Sequence, residues 1–528
     1  MTMATRRRAR SWRTGIAAAG LVGLCLRLAA CESAPNTTAP AWRADCPPLV
    51  QPAPVSLEAA RAAHRLAARR QELRLREAAS PGFFLREMQA RLDPVRMATG
   101  DVCLGELDEL GQLLFEHEYG LVDGLGGGAA AGAAAGAPTS PFRRVHRGLF
   151  GGPETISCPS CHWIGGPDGA GAETDNAFLA GDGERPGSGD ERNPPALVAP
   201  GVVLALAREM SRELQTERAD LVRDAAHAGA DRETRLSAKG IDFGVLRATA
   251  KGVIDTSGVL GVDPDLVVKP FGWKGTLADF ADFASEALQV HIGIQSDRLV
   301  AGGVHERLGD GTDPTDPDGD GVRHELGRGP FEALTVHLAL LELPIVEPMV
   351  QDRRIAAPAK GLLPPTTTSF ADDFERGREQ FHALGCAGCH QPMMVLESPI
   401  LALEGLPPID LASAMRQPAL RYDAGLGGYP VWLFSDLRRH DMGPSNVARH
   451  VQNGVAPGMY LTPRLWGVAD SGPYLHDGRA PSFDFAIAGH AGEGAVARAA
   501  FEAVPLAERG PLRVYLMSLR RAPRVIVP

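Results

Sequence analysis

"SCPSCHWIGG" (residues 157–166) and "LGCAGCHQPM" (residues 384–393) carry one pattern twice, Cys-x-x-Cys-His, 228 residues apart. Cys158, Cys161 and His162 form the first copy; Cys386, Cys389 and His390 form the second. Two thiols at this spacing can add to the two vinyl groups of one haem, and the following His then lies under the ring as an axial iron ligand. A pair of redox dithiols, or one zinc ion with two ligands from each copy, would also use the cysteines. Neither needs a His directly after the second Cys, both times. The pattern therefore reads as two covalently bound haem c groups, provided the chain reaches an oxidising compartment.

The N-terminus bears on that condition. "MTMATRRRARSW" is a basic leader, followed by the short apolar run "GIAAAGLVGLCLRLAAC", which closes on small residues. This reads as an export signal over residues 1–30, too short for a spanning helix. Leu28-Ala29-Ala30-Cys31 resembles a lipobox, which would lipidate Cys31 and make it the mature N-terminus; Arg27 inside the apolar run departs from that pattern. A periplasmic or cell-envelope protein is expected, anchored to the membrane only through that lipid, if at all. Removing residues 1–30 removes six arginines and no acids, so the net charge of −10 becomes −16. Such a surface argues against nucleic acid and suits a small basic electron-donor protein. Of the eight cysteines, four belong to the motifs, Cys25 goes with the signal and Cys31 is the lipidation candidate. Cys46 and Cys103 remain, and in an exported protein an even pair is most simply a disulfide.

The 528 residues leave room for two or three domains. Residues 57–92 are rich in strong helix formers with Leu and Ala at three- and four-residue spacing, and read as a surface helix pair. "GLGGGAAAGAAAGAPTSP" (124–141) reads as a linker or loop, and "APAKGLLPPTTTS" (357–369) as a proline-rich break. The expected division is a signal (1–30), an N-terminal helical extension with its Gly/Ala-rich linker (31–140), and two haem-bearing units (141–356 and 357–528). Most periodic segments are helical, so the class is mainly α, with long loops around the cofactors. "DPTDPDGDGVRHELG" places Asp316, Asp318 and Asp320 before Gly321, the opening of a calcium loop. Glu325 stands at loop position ten rather than twelve, so this is no ordinary EF-hand. His64, His117, His227 and His337 lie in helix-like segments and read as surface or core residues.

Several stretches, in order, resemble the bacterial di-haem cytochrome c peroxidase superfamily, in its di-haem oxidoreductase branch. They are "RNPPAL" (192–197), "FGWKG" (271–275), "GIQS" (293–296), "GCAGCH" (385–390), "HDMGP" (440–444), "LTPRLWGV" (461–468) and "PYLHDGRAPS" (473–482), and they span roughly residues 145–520. The resemblance implies two mostly helical cytochrome c-like domains, with electrons passing from the C-terminal haem to a peroxide-reactive N-terminal one. It also implies an inter-domain calcium ion and a tryptophan between the haems, for which Trp273 is the candidate.

The same resemblance implies further ligands. Relatives place a ligating Met fourteen residues after the His of "YFHDG"; the same count from His476 reaches His490, giving a bis-His site of His390 and His490 with a lowered potential. Relatives carry a carboxylate just before "MG" in the peroxide pocket; "ALQVHIGIQS" has His291 there, as a proton shuttle or as an axial ligand. Glu286, five residues before it, would lie off the same helix face. His440 is expected near a haem propionate. Hydrogen peroxide or another small oxidant is the expected substrate. The competing readings are a di-haem enzyme oxidising a protein side chain or organic substrate, and a non-catalytic electron-transfer cytochrome.

Overall fold

The computed structural model describes residues 41–43, 46, 56–126, 145–146, 153–302, 321–345 and 369–523. The expected signal and Cys31, most of the Gly/Ala-rich segment, Asp316, Asp318, Asp320 and nearly all of the proline-rich break lie outside them. Helix predominates, at 43%, but small sheets are also present. The main helices are α1 (Leu57–Ala79), α2 (Phe83–Arg91), α3 (Leu104–Phe115), α4 (Pro200–Ala228), α5 (Phe280–Ala287), α6 (Arg328–Ala339), α7 (Phe370–Ala383), α8 (Phe483–Ala488), α9 (Ala495–Ala503) and α10 (Gly510–Ser518). None of the described helices is long and apolar enough to cross a membrane.

Two helix crossings organise the core, and both are built on a glycine. Leu107, Leu110, Leu113 and Leu114 make one buried stripe of α3 at three- and four-residue spacing. Gly111 lies in the middle of that helix, where glycine costs up to about 1 kcal/mol against alanine. A Cβ there would stand 2.1 Å from the Ala333 carbonyl oxygen and 2.7 Å from His337 Cβ, both on α6, so only glycine admits the close approach. The second crossing repeats the device. Ser369 caps α7 by accepting from Asp372 N, Phe374 and Phe381 face inward, and a Cβ on Gly377 would stand 2.1 Å from the Pro511 carbonyl of α10 and 2.7 Å from Tyr515 Cβ. The boundary expected at residue 141 thus separates two helices, α3 and α6, that pack directly on one another.

One apolar cluster runs from Leu73 on α1 through α3, α4 and α6 and takes in residues of the 394–437 stretch, among them Met394, Leu411, Met415 and Leu433. A second gathers Phe374, Phe381, Phe434, Phe501, Leu512 and Tyr515 around the α7–α10 crossing. Cys46 and Cys103, 57 positions apart along the chain, form the expected disulfide and tie the segment before α1 to the start of α3.

The mainly helical expectation omitted a three-stranded antiparallel sheet, β3 (Arg232–Ala238), β4 (Ile241–Ala248) and β5 (Ile254–Val259). Lys239 and Gly240, both at positive φ, make the two-residue turn between β3 and β4, the geometry whose twist suits a hairpin. Lys239 Nζ reaches Glu209 and Glu213 of α4, at 2.9 Å each, and Glu397 at 2.7 Å, so the hairpin is pinned to the long helix. The remaining strands, β1 (Ala177–Leu179), β2 (Asp190–Arg192) and six others between Met394 and Leu461, form two-stranded ribbons in the loops.

Candidate functional site

Both motifs begin on a single tight turn, Cys158–Ser160 and Cys386–Gly388, and each histidine that follows is turned inward. His162 Nδ1 lies 3.1 Å from the Gly169 carbonyl, and His390 Nδ1 lies 3.1 Å from that of Phe434. A carbonyl only accepts, so each Nδ1 carries the proton, which leaves Nε2 of His390 as a bare lone pair, while the His162 ring also has the Pro195 carbonyl beside it. Burial lowers the proton affinity of both rings, that of His390 to about 4 with His490 beside it as a second cause. Both imidazoles are therefore neutral donors of one nitrogen, the form a metal needs.

The four motif cysteines are free thiols. Burial pushes Cys158 and Cys161 up to about 12 and Cys386 up to about 11. A redox dithiol works through a depressed thiol pKa, which this burial opposes. A shared zinc ion would need the two pairs side by side, and among the described residues they do not enter a common ligand cluster.

His490 faces His390. The ring centroids are 6.3 Å apart and the planes are inclined at 56°. His490 Nδ1 donates to the Ala486 carbonyl at 2.9 Å, one turn back, which leaves its Nε2 free as well. A metal–nitrogen bond of about 2.0 Å puts a ligating ring's centroid about 3.2 Å from the metal. Two such rings sharing one metal ion would have centroids about 6.3 Å apart, and that is the spacing of this pair. Among the described residues no imidazole is placed opposite His162 in this way.

Trp273 joins segments far apart in the sequence through main-chain groups. Its indole Nε1 donates to Asn193 O at 2.9 Å, its carbonyl accepts from Leu461 N at 3.1 Å, and Asn193 N donates to His476 O at 2.7 Å. Beside it, Lys274 Nζ sits 3.8 Å above the Tyr460 ring and donates to the carbonyls of Ala456, Pro457 and Met459, while Tyr460 stacks on His476 at 4.5 Å. "RNPPAL", "FGWKG" and "YLHDG" thus meet at one place.

His440 Nδ1 lies 4.0 Å from Cys389 Sγ, at the edge of the second motif. Asp436 holds its Nε2 and Glu493 its Nδ1, each at 2.8 Å. Burial opposes a charge on this ring, but Asp436 and Cys389 outweigh it and push the pKa up to about 11.

His291 lies on a wide turn, Leu288–Ile292, that prolongs α5. Its Nδ1 meets Glu154 Oε2 at 2.6 Å, and Glu154 Oε1 lies 3.0 Å from Nε2 of the fully buried His146. The backbone amides of Glu154 and Thr155 both donate to the His291 carbonyl, at 2.7 and 3.2 Å. Burial would raise the Glu154 carboxyl, but the two histidines hold it down at about 2. Neither Glu154 nor His146 was read from the sequence. Glu154 stands four residues before Cys158, and only that closeness to the motif could have drawn notice to it. Glu325 is 4% exposed and its Oε2 accepts from Gln295 N at 2.7 Å; the three aspartates before it lie outside the described residues.

Residues 357–519 match the family described as "Di-haem oxidoreductase, putative peroxidase". The C-terminal part of the chain is thus similar to that family over residues 357–519. That span holds Cys386, Cys389, His390 and His490, whereas the first motif precedes it. Among solved structures, the chain is similar to one titled as a MauG-like protein associated with microbial copper homeostasis. The two share 12% identity over 52% of this chain and 78% of that one, with a TM-score of 0.26. No curated protein matches.

Proposed function

We propose that the protein is an exported di-haem c-type oxidoreductase with peroxidase-like activity, built on two cytochrome c-like halves. One haem is held by Cys158, Cys161 and His162, the other by Cys386, Cys389, His390 and His490. The observation that carries this reading is the opposed pair His390 and His490: two imidazoles 6.3 Å apart, each with Nδ1 given to a carbonyl and Nε2 left unprotonated. When bound, the haems supply two one-electron centres, the C-terminal one filled by a small donor protein and the N-terminal one open to peroxide.

The chain's own groups prepare this chemistry. Gly169 and Phe434 fix the tautomers of His162 and His390 through their carbonyls. Trp273 offers an aromatic ring where the segments of the two halves meet. His291 is the group to take a proton from bound peroxide and return it to the leaving oxygen. The acidic surface suits a basic donor, and the loop of Asp316, Asp318 and Asp320 is the candidate for calcium, tested by calorimetric titration of an Asp318→Ala/Asp320→Ala variant.

The deciding experiment is the ferric spectrum followed by peroxide addition. One low-spin and one high-spin haem, with peroxide turned over only in the presence of a reduced donor, is the expected result. Two low-spin haems that ignore peroxide would make the protein an electron carrier. Reaction with peroxide that proceeds without a donor would point instead to oxidation of a side chain or an organic substrate.

A further inference from the structure

We infer that Glu154 is the positioning residue of the peroxide pocket, fixing His291 in the tautomer whose Nε2 is a bare proton acceptor, with His146 bracing the carboxylate from behind. This rests on the role proposed for His291 and deepens it. The three side chains come from three separate segments, and Glu154 and His291 are 137 residues apart, so their contact is made by the fold. Glu154 grips His291 at two points: its carboxylate meets the ring, and its own amide, with that of Thr155, holds the His291 carbonyl.

A carboxylate this enclosed must be compensated, and the two imidazoles on its two oxygens do that. Being ionised, Glu154 can only accept. The proton at the contact therefore belongs to His291 Nδ1, and the basic nitrogen of the ring faces away from the carboxylate. This is the division of labour by which a carboxylate holds a catalytic histidine in acyl-transfer triads, here with a second histidine on the other oxygen. The same three side chains, with ligand atoms within 4.8 Å of one another, also have the donor set of a divalent-cation site. At 2.6 Å, however, the Nδ1–Oε2 contact is a direct charge-assisted hydrogen bond and is complete without an ion.

The test uses the haem-loaded protein. In ¹⁵N-histidine-labelled protein, reduced and saturated with carbon monoxide so that both irons are diamagnetic, His291 is expected to carry its proton on Nδ1. Glu154→Gln offers one acceptor to two imidazoles and no charge. It should slow both the reaction with peroxide and the uptake of cyanide by ferric iron, since hydrogen cyanide must also lose a proton, each by about 10–100-fold. KM for the electron donor should not move. Glu154→Asp, which restores the carboxylate, should recover most of both rates. A proton on Nε2 of His291 in the unaltered protein would overturn the inference. So would a Glu154→Gln variant as fast as its parent when His291→Ala is slow, or one zinc ion bound per chain by calorimetry and lost in Glu154→Gln. If His291→Ala itself leaves both rates unchanged, the role proposed for His291 fails, and the tautomer still reports separately on Glu154.

Discussion

His390 and His490 face each other with 6.3 Å between ring centroids, each anchored at Nδ1 by a backbone carbonyl, Phe434 for one and Ala486 for the other. His490→Met keeps an iron ligand at this place but exchanges nitrogen for thioether sulfur, which favours the ferrous state. The variant is expected to stay six-coordinate and low-spin with a raised reduction potential, read by spectroelectrochemistry. An unchanged potential would remove His490 from the iron.

Each Cys pair should serve a single porphyrin. Cys161→Ala is expected to weaken attachment at the first site alone and Cys389→Ala at the second alone, lowering the intact mass of the fully loaded protein by one haem in each case. A variant that loses both haems at once would indicate that the two sites are not independent.

Gly111 and Gly377 should be equally intolerant of a methyl group. In each case the new Cβ would lie 2.1 Å from a carbonyl oxygen of the crossing helix, so the backbones must separate. Overpacking of this kind costs about 1–3 kcal/mol, more where backbone must yield. Gly377→Ala should lower the melting temperature by several degrees and disturb the α7–α10 pair first, which hydrogen exchange resolves; an unshifted melting curve would contradict the crossing geometry.

Glu332 on α6 should make stability fall with rising pH. It is 6% exposed, with Arg328 Nε at 2.7 Å from Oε1 and, among the described residues, no hydrogen-bond partner for Oε2. Burial outweighs the Arg328 charge and raises its pKa from 4.5 to about 7. The folded state then binds the extra proton between those values, so stability is greatest below pH 4.5, declines through pH 7 and is level above it. Glu332→Gln should abolish that slope and stabilise the protein at pH 8 by at most about 3 kcal/mol. Parallel melting curves across pH 4–8 for the two proteins would refute it.

What could be read from the sequence was what covalent chemistry or a fixed count imposes. Cys-x-x-Cys-His is a local pattern, and a count from His476 reaches His490, whose ring centroid lies 6.3 Å from that of His390. The partnership of His291 with Glu154 and His146 is not local in this sense: the contact spans 137 residues, and no periodicity announces it. The apolar stripe of α3 does not say what it meets; its partner α6 begins more than 200 residues later. The β3–β4 hairpin was missed because Lys-Gly is a weak turn signal beside Asn-Gly or Asp-Gly.

The crossing at Gly111 has a consequence for the order of events during maturation. Gly111 meets Ala333, so the packing of α3 is incomplete until α6 has been made, about 170 residues after Cys158. Contacts so distant along the chain form slowly. On the covalent reading proposed above, that delay matters, because a thiol must ionise to attack a vinyl group. In the closed fold burial lifts Cys158 and Cys161 to about 12, whereas on an open chain thiols titrate near about 8.5 and ionise far more readily. On that reading, attachment at the first site belongs before closure, while its cysteines are still open to solvent.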